Sequence, residues 1–473
     1  MSHGTVRAAR GGEAGVTLLV VLVLLLAVTA ASGAFIWFMN QQQTRAGGRL
    51  RAAAAVAVAE AGVHRALAIL ESVAPDGQSP GRSWRPSAHT ERLNVGPFDG
   101  RFTISLADGP GDAILVTSSG EVAGVQRRVR ARVHLASSAL LAALHGDGVV
   151  RFEKPPAMAF LLPYGAGIGD RPWIQVAAGK EIWFTTTAVS INNRNASTVV
   201  APGPVDAPDA ASPRPDPVRL LTSRAGVVTL GADHTQVDIQ QLRNAGVHVE
   251  GVVLRTGAFP QPPEVDRAYF QRQASANTAN AALNEAAGRH HGDSELVKKQ
   301  DSSYSRTQFD KLQAYLRVGL TPPLFRGVVY VGGGVVLRDG ERMDVVEGAL
   351  VTDSTVHMSQ GAVLQVTHSA STRTLPGIIV LDNGGITVTQ GARLRAHGLV
   401  YTSRLFDVGP GAHVDVVGAV LSADPDLSFR NFAATVVIRY DPAVLGTPGL
   451  RTAVPSGAPP AEVAWVAAWE ELP

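Results

Sequence analysis

The chain begins with an uncharged apolar run, from Val16 to Met39, that directly follows a short polar leader. At about 1.5 Å per helical residue the run is about 36 Å long, enough to cross a hydrocarbon core of about 30 Å. A helix is the only single-segment structure that satisfies its own backbone amides in lipid. We therefore predict a transmembrane helix over residues 16–39. Arginines stand on both sides of the run, so charge alone does not set its orientation: Arg7, Arg10, Arg45, Arg49 and Arg51.

Composition limits what the rest of the chain can be. A length of 473 residues predicts two or three folded units in addition to the anchor. The 49 glycines and 29 prolines favour short strands and turns over helix bundles. Cysteine is absent, which excludes disulfides, thiolate zinc sites and iron–sulfur clusters. The net charge is only +2, so the sequence predicts no nucleic-acid partner.

The apolar run has two ordinary interpretations, a cleaved secretory signal and an uncut signal anchor. A cleaved secretory signal could end near Ser32-Gly33-Ala34, but the apolar run continues through Trp37 to Met39. An uncut signal anchor would place that aromatic cluster at the outer interface, where Trp is enriched.

A second helical stretch follows at residues 40–74, where apolar side chains recur at helical spacing: Val56, Val63, Leu67 and Leu70.

The segment GVTLLVVLVLLL, from Gly15 to Leu26, resembles the processing site of type IV prepilins. The resemblance implies that a dedicated peptidase removes a leader of residues 1–15 by cutting after Gly15, so that Val16 becomes the first residue. Major pilins carry Glu at the fifth mature position, where this chain has Val20; minor pilins and pseudopilins at filament tips often lack it. The alanine-rich helix ending in AEAG, with Glu60 and Gly62, extends the resemblance to an N-terminal segment of the PilX type.

This resemblance implies that the helix stays on the mature protein and packs against other subunits. The residues assigned to that packing are Leu18, Leu22, Leu25, Trp37, Val56, Glu60 and Val63. It also implies several partners: other pilin or pseudopilin subunits, the prepilin peptidase, inner-membrane assembly machinery and the membrane itself. The location implied is a bacterial inner membrane, crossed once with the N-terminus in the cytoplasm and the head exported, or a filament at the cell surface.

Residues 75–140 predict a small antiparallel β unit, with strands in GRFTISLAD, AILVTSSGEVAG and VQRRVRARVHLA. We interpret the arginines of RRVRAR as one solvated strand face rather than an anion site. Residues 141–325 predict an irregular β-rich region with a proline-rich connection at 203–217 and a helical insertion at 264–288 and 305–317. His290, His291 and Asp293 lie between those helices, but adjacent histidines point to different sides, so we predict no metal there.

Residues 326–445 contain a repeat of short apolar strands, each led by glycine. A spacing of about 20 residues with several short strands per repeat is typical of a parallel β-helix. Val329, Leu350, Ile379 and Val400 are the predicted inward residues, and THSASTRTLP is an insertion between repeats. The strand ATVVIRYDP is predicted to close the end of the stack. A Greek-key sandwich is the alternative. The predicted class is therefore α+β, with a long N-terminal helix and a β-rich head, including a right-handed parallel β-helix.

The tail, residues 446–473, predicts a short amphipathic helix or docking peptide from Trp465 and Trp469, with packing on its own domain favoured over a partner site. No nucleophile, metal or phosphate motif is present in the sequence. A polysaccharide-cleaving β-helix would need a row of acids, for which the candidates are Asp382, Asp407, Asp415 and Asp424. These fall near turns, where Asp is ordinary. We predict no catalytic residues, no cofactor and no enzyme activity.

The sequence thus predicts a structural minor pilin or pseudopilin-like subunit of a type IV pilus or type II secretion apparatus, at the tip or in assembly priming. A membrane-anchored adhesin or binding module is the first alternative. An anchored polysaccharide-active enzyme is the second.

Overall fold

A single unbroken helix, α1 (Gly12–Leu70), joins the apolar run to the folded part of the protein. The computed structural model describes residues 12–72, 83–109, 113–153, 157–161, 167–168, 171–172, 174–185, 190–192, 220–222, 227–237, 241, 253–255, 259–318, 324–451 and 462–472. The predicted leader residues 1–11 and the proline-rich connection lie outside this range. Within it, α1 is the one helix long and apolar enough to cross a membrane. Its backbone stays helical through Gly47 and Gly48.

The C-terminal half of α1 packs on a five-stranded antiparallel sheet, and together they form what we call the spine module. In order across the sheet, its strands are β1 (His89–Val95), β2 (Phe98–Asp108), β3 (Ile114–Val122), β4 (Val125–Ser137) and β34 (Glu462–Leu472). The three predicted strands are β2, β3 and β4, and the edges β1 and β34 come from segments for which no strand was predicted.

The remaining described residues form the head, whose strands stack in three rows of parallel neighbours. Row A consists, in stacking order, of β18 (Ser303–Ser305), β20 (Val329–Gly332), β23 (Leu350–Thr352), β26 (Ile378–Val380), the second halves of β28 (Arg393–Thr402) and β30 (His413–Ser422), β5 (Ala142–Gly146), β10 (Ile174–Ala178), β13 (Leu220–Thr222) and β16 (Val253–Arg255). The fold is therefore α+β, with a long apolar helix followed by a β-rich region of parallel sheets.

Rows B and C follow the same stacking order. Row B consists of β21 (Val335–Leu337), β24 (Val356–Met358), β27 (Ile386–Val388), β29 (Phe406–Val408), β31 (Leu427–Phe432), β6 (Val149–Glu153), β11 (Glu181–Phe184) and β14 (Val227–Leu230), with β15 (Thr235–Gln236) antiparallel to β14. Row C consists of β19 (Leu324–Arg326), β22 (Arg342–Val346), β25 (Val363–Thr367), the first halves of β28 and β30, β32 (Thr435–Tyr440), β7 (Ala157–Leu161) and β12 (Ser190–Asn192). Each repeat visits rows A, B and C in turn.

Buried ladders run through the stack because residues in register stand above one another. Val329, Leu350, Ile378 and Val400 form one such ladder in row A, and all are fully buried. Three of the four predicted inward residues therefore share a ladder, while the predicted Ile379 belongs to the neighbouring one. Successive strand residues point to opposite faces, so Ile379 faces the other side of the sheet.

The stack is built from two separate stretches of chain that meet in its middle. Strand β32 pairs with β30 on one side and with β7 on the other, so the predicted role of ATVVIRYDP in closing an end is wrong. Hydrogen bonds join the two stretches of chain. The Gly148 amide donates to Ser428 Oγ at 2.6 Å, and Tyr440 Oη donates to the Leu140 carbonyl at 2.6 Å. The described strands between Ala142 and Arg255, in the region predicted to be irregular, continue the three rows, except β8 (Gly167–Ile168) and β9 (Arg171–Pro172), which pair with each other.

Helices cover the end of the stack at β18 and β20. They are α2 (Arg267–Ala276), α3 (Ala281–His291), α4 (Ser294–Lys298) and α5 (Arg306–Val318). Phe270, Tyr304, Phe309 and Phe325 are buried beneath them. The helical insertion was predicted, but the 264–288 helix is divided, because Asn280 turns inward to donate to Ser302 Oγ and to the Arg326 carbonyl.

A return segment, residues 259–266, crosses the outside of row A between the two stretches. Phe259 stacks on His145 with ring centroids 5.0 Å apart, and Ser137 Oγ donates to the Gln261 carbonyl at 2.8 Å. Strand β17 (Glu264–Val265) then pairs with β33 (Leu450–Arg451). Phe259 also packs near Ala177 and Leu221, which continue the ladder that includes Ile379, so this side of row A is apolar as well.

The burial of His145 predicts that acid destabilises the head. Its ring is 1% exposed with no hydrogen-bond partner for either nitrogen, and burial lowers its pKa to about 3 from 6.5. Below pH 6.5 the His145 imidazole takes up a proton in the unfolded chain but stays neutral in the folded chain. The free energy of unfolding therefore falls as the pH decreases towards 3. We expect the loss of unfolding free energy between pH 7 and pH 5 to be about 2 kcal/mol smaller in His145→Leu than in the wild type. Urea unfolding at the two pH values measures this, and identical pH dependence in both proteins would contradict it.

Candidate functional site

The membrane-side half of α1 presents a continuous apolar surface that nothing in the described chain covers. Predicted packing residues lie on it: Leu22 is 59% exposed, Leu25 64% and Trp37 63%. The other large exposed side chains of this surface are Val21, Val23, Leu24, Leu26, Val28, Phe35, Ile36, Phe38 and Met39. A contiguous apolar area of this size requires either lipid or other apolar helices around it.

The predicted processing residues Gly15 and Val16, and the packing residue Leu18, lie on the helical backbone of α1 near its start. Their side chains fall outside the described ones. The cleavage site and the contacts of Leu18 therefore stay predictions.

The other half of α1 is held to its own sheet by small residues on both sides. Ala55, Ala59 and Gly62 face the sheet and are buried. A methyl group at Gly120 of β3 would come within 2.2 Å of the Ala55 carbonyl oxygen and 2.4 Å of the Ala59 nitrogen, and one at Gly62 within 2.2 Å of Ser118 Oγ. The AEAG sequence thus has a packing role, because its glycine lets helix and sheet approach closely.

Of the remaining predicted packing residues, Val56 and Glu60 are half-buried on the flank of α1, whereas Val63 is fully buried in the spine module. Val63 packs against the chain's own sheet, since it shares a cluster with Ile104, Val116 and Val133. The surface open to a neighbouring subunit therefore excludes Val63.

The C-terminal tail completes the spine module as strand β34, so the predicted amphipathic helix or docking peptide is wrong. It pairs antiparallel with β4 from Glu462 to Leu472. Ala464 is buried, and its amide donates to Glu71 Oε1 at the end of α1 at 2.8 Å. The predicted packing on its own domain is confirmed. The physical reason is that β4 would otherwise be an open edge with unpaired backbone groups.

The arginines of β4 form the solvated face that the sequence predicted. Arg128, Arg130 and Arg132 are exposed and alternate with buried Val129 and Ala131, which face α1. Trp469 stands beside Ala131 and is 42% exposed, with its ring 6.4 Å from that of His64.

The four aspartates considered for a catalytic row are engaged in structural contacts. Arg430 donates to Asp407 through two nitrogens at 2.7 and 2.5 Å, and Arg439 donates to Asp415 at 2.9 Å. Asp382 pairs with Arg267. Asp424 Oδ1 accepts from the Asp426 amide at 2.8 Å. Each carboxylate thus braces a turn or a neighbouring strand.

The histidines and aspartate of the helical insertion do not converge on a common point. Asp293 accepts from the Glu295 and Leu296 amides and from Lys311 Nζ at 2.7 Å, and the Lys311 hydrogen bond lowers its pKa. His290 and His291 pack edge to face, and His290 lies against Tyr315. Among the described residues, no group of three or more His, Asp or Glu side chains is arranged to hold a metal ion.

No protein-family model matches the chain, and no curated protein matches it. Among solved structures, the chain is similar to the competence-associated pilin ComZ from Thermus thermophilus, with 15% sequence identity over 89% of this chain and 97% of that chain. The TM-score is 0.33, which is below the range that indicates a shared fold.

Proposed function

We propose that this chain is a minor pilin or pseudopilin-like subunit of a type IV pilus or a type II secretion apparatus. The observation that carries the proposal is the division of α1 into two halves. One half packs closely on the chain's own sheet through Ala55, Ala59 and Gly62, and the other half exposes apolar side chains over Val21–Met39. A rigid rod of this kind can anchor the subunit in a membrane and later pack beside the rods of sister subunits.

The processing step belongs to the same proposal. The leader is cut after Gly15 by a prepilin peptidase, so that the mature chain begins at Val16 and keeps the whole apolar helix. The N-terminus lies in the cytoplasm, α1 crosses the inner membrane once, and the spine module and head are exported.

Position in the filament is inferred from Val20 and from the size of the head. Val20 replaces the carboxylate that major pilins use towards the neighbouring subunit, and a subunit at a tip has no neighbour above it. The described head runs from residue 138 to 451 and is far larger than the spine module. Such a bulky head suits one copy at a tip or in assembly priming better than dense repetition along a filament.

We propose further that the head is a right-handed parallel β-helix with a structural or binding role and no enzyme activity. Three rows of in-register parallel strands support this, since successive parallel strands of one sheet are almost always connected with right-handed crossovers. The pairing of Asp407 and Asp415 with arginines supports the absence of catalysis.

Photo-crosslinking from within the apolar half of α1 tests the subunit role. A photo-crosslinking amino acid placed at Leu25 should form adducts with other membrane-anchored pilin-type subunits in cells that assemble the filament. The same residue placed at Arg92, which is exposed on the sheet, is the matched control and should give none of these adducts. Adducts confined to lipid at Leu25 would contradict a shared core and favour a separately anchored adhesin.

A further inference from the structure

Between its exposed apolar half and the half that packs on the sheet, α1 carries a polar stretch that has no role in the proposed function. Residues 40–51 read NQQQTRAGGRLR and include no acidic residue. Arg45, Arg49 and Arg51 are exposed, and none of them has an ion-pair partner in the described part of the chain. Three unpaired positive charges thus follow directly after an apolar span.

Side chains at the start of this stretch share one face of the helix. Trp37, Asn40, Gln41, Thr44 and Arg45 line a shallow groove, which we call the interface groove. Their spacing of three and four residues places them side by side. Thr44 Oγ1 donates back to the Asn40 backbone carbonyl at 2.8 Å, and Asn40 is exposed while Gln41 is half-buried.

The groove lies at the depth of lipid headgroups if α1 spans a membrane as proposed. Trp is enriched at the boundary between hydrocarbon and headgroups, where Trp37 would stand near the end of the span. Arg45 follows Met39 by six residues, about 9 Å along the helix, and the headgroup layer is roughly 5–8 Å thick on each side. The Arg45 guanidinium can therefore reach the phosphates by extending along the helix.

The face of α1 that carries the groove continues, further along the helix, into the face that packs on the chain's own sheet. Thr44 and Ala55 are three helical turns apart, so they point the same way, and at Ala55 this face is buried beneath β3. The groove therefore lies on the membrane side of the sheet, along the same face of α1. Its lining includes an arginine, two amide side chains and a hydroxyl, which favours a lipid headgroup over a second apolar rod.

We propose that the interface groove binds the phosphate headgroup of an anionic phospholipid in the leaflet on the side of the head. Arg45 supplies a two-pronged donor that matches phosphate oxygens, Asn40 and Gln41 add neutral donors, and Arg49 adds charge nearby. On the proposed exported side, the arginines of this stretch place positive charge next to the membrane surface, where it complements an anionic headgroup. The lipid holds the subunit in the membrane at a fixed height before it joins a filament.

Lipid retention by the full chain in nanodiscs of equal phosphatidylglycerol and phosphatidylethanolamine tests this proposal. Native mass spectrometry of the released protein should show phosphatidylglycerol enriched on the wild type. Arg45→Gln should reduce that enrichment about five-fold, since each arginine near an anionic surface contributes about 1 kcal/mol. Arg45→Lys should fall between the two, because it keeps the charge and loses the two-pronged geometry. Arg92→Gln, an exposed arginine on the sheet, should match the wild type.

Three results would overturn the proposal. Equal retention of both lipids by the wild type, or unchanged selectivity in Arg45→Gln, would exclude a headgroup site at the groove. Displacement of phosphatidylglycerol by inorganic phosphate would assign the groove to free phosphate instead. The crosslinks from Leu25 do not depend on lipid selectivity: intact crosslinks with no selectivity would remove the groove alone, and loss of both would remove the subunit role as well.

Discussion

Replacing Gly120 by alanine is expected to separate α1 from its sheet and to lower the free energy of unfolding by about 3 kcal/mol. The added methyl group would stand 2.2 Å from the Ala55 carbonyl oxygen and 2.4 Å from the Ala59 nitrogen. Both are backbone atoms of a long helix, so they cannot move aside as a side chain would. Urea unfolding of the full chain in detergent, followed by hydrogen exchange of the α1 amides, measures the effect.

Gly47→Ala is the matched control for this change. A methyl group at Gly47 meets no atom within 4 Å, and the residue lies inside a helix. The control is therefore expected to leave stability unchanged or to raise it by up to about 1 kcal/mol, since alanine favours helix over glycine. A Gly120→Ala protein as stable as the wild type would contradict the close packing of helix and sheet.

Phe152→Ala is expected to cost about 3–5 kcal/mol and to loosen the joint between the two stretches of the head. Phe152 is fully buried, stacks on Phe184 with ring centroids 5.2 Å apart and lies 6.2 Å from Phe429 of the other stretch. Truncation leaves a cavity where strands separated by 280 residues in sequence meet, as the Gly148–Ser428 hydrogen bond shows. Hydrogen exchange should report faster opening of both β6 and β31.

Phe325→Ala provides the comparison, because Phe325 is also fully buried but lies beneath the helices at the end of the stack. We expect a similar loss of stability with faster exchange in α2 to α5 and little change in β6 or β31. Unchanged exchange of β6 and β31 in Phe152→Ala would mean that the joint does not depend on the aromatic stack.

Local patterns in the sequence were enough to predict the parts of the fold that local forces determine. The apolar run and the spacing of Val56, Val63 and Leu70 predicted a continuous rod, and α1 has this form. Alternation in VQRRVRARVHLA predicted β4 with its arginines outward. The glycine-led repeat placed strands from residue 327 onwards, because each repeat carries the same turn signals.

Pairings between distant segments could not be predicted in this way. Trp465 and Trp469 stand four residues apart, a helical spacing, yet the open edge of β4 recruits the tail as a strand whose residue Ala464 bonds to Glu71, 393 positions away. The strands described between Ala142 and Arg255 are separated by long and unequal lengths of sequence, which concealed their repeat. A regular signal was nevertheless present, since Gly146 is the last residue of β5 and Gly179 directly follows β10, in each case just before a row B strand.

The residues of the candidate site were likewise predicted correctly where a local pattern determines them, and missed where a distant partner does. The exposed apolar half of α1 followed from composition alone, and Leu22, Leu25 and Trp37 lie on it. Val63 was assigned to the wrong side of the rod, because the stripe of apolar residues gave no indication of which partner would cover it. The salt bridges of Asp407 and Asp415 depend on register between strands of successive repeats and leave no trace in local sequence.

The mass of the mature amino terminus tests the central claim most directly, namely that the apolar helix is retained in the finished subunit after a cut at Gly15. Protein isolated from membranes or filaments should begin at an N-methylated Val16, and Gly15→Leu should block that maturation. A chain that begins at Phe35 or beyond, or that keeps residues 1–15 in the assembled state, would contradict the account.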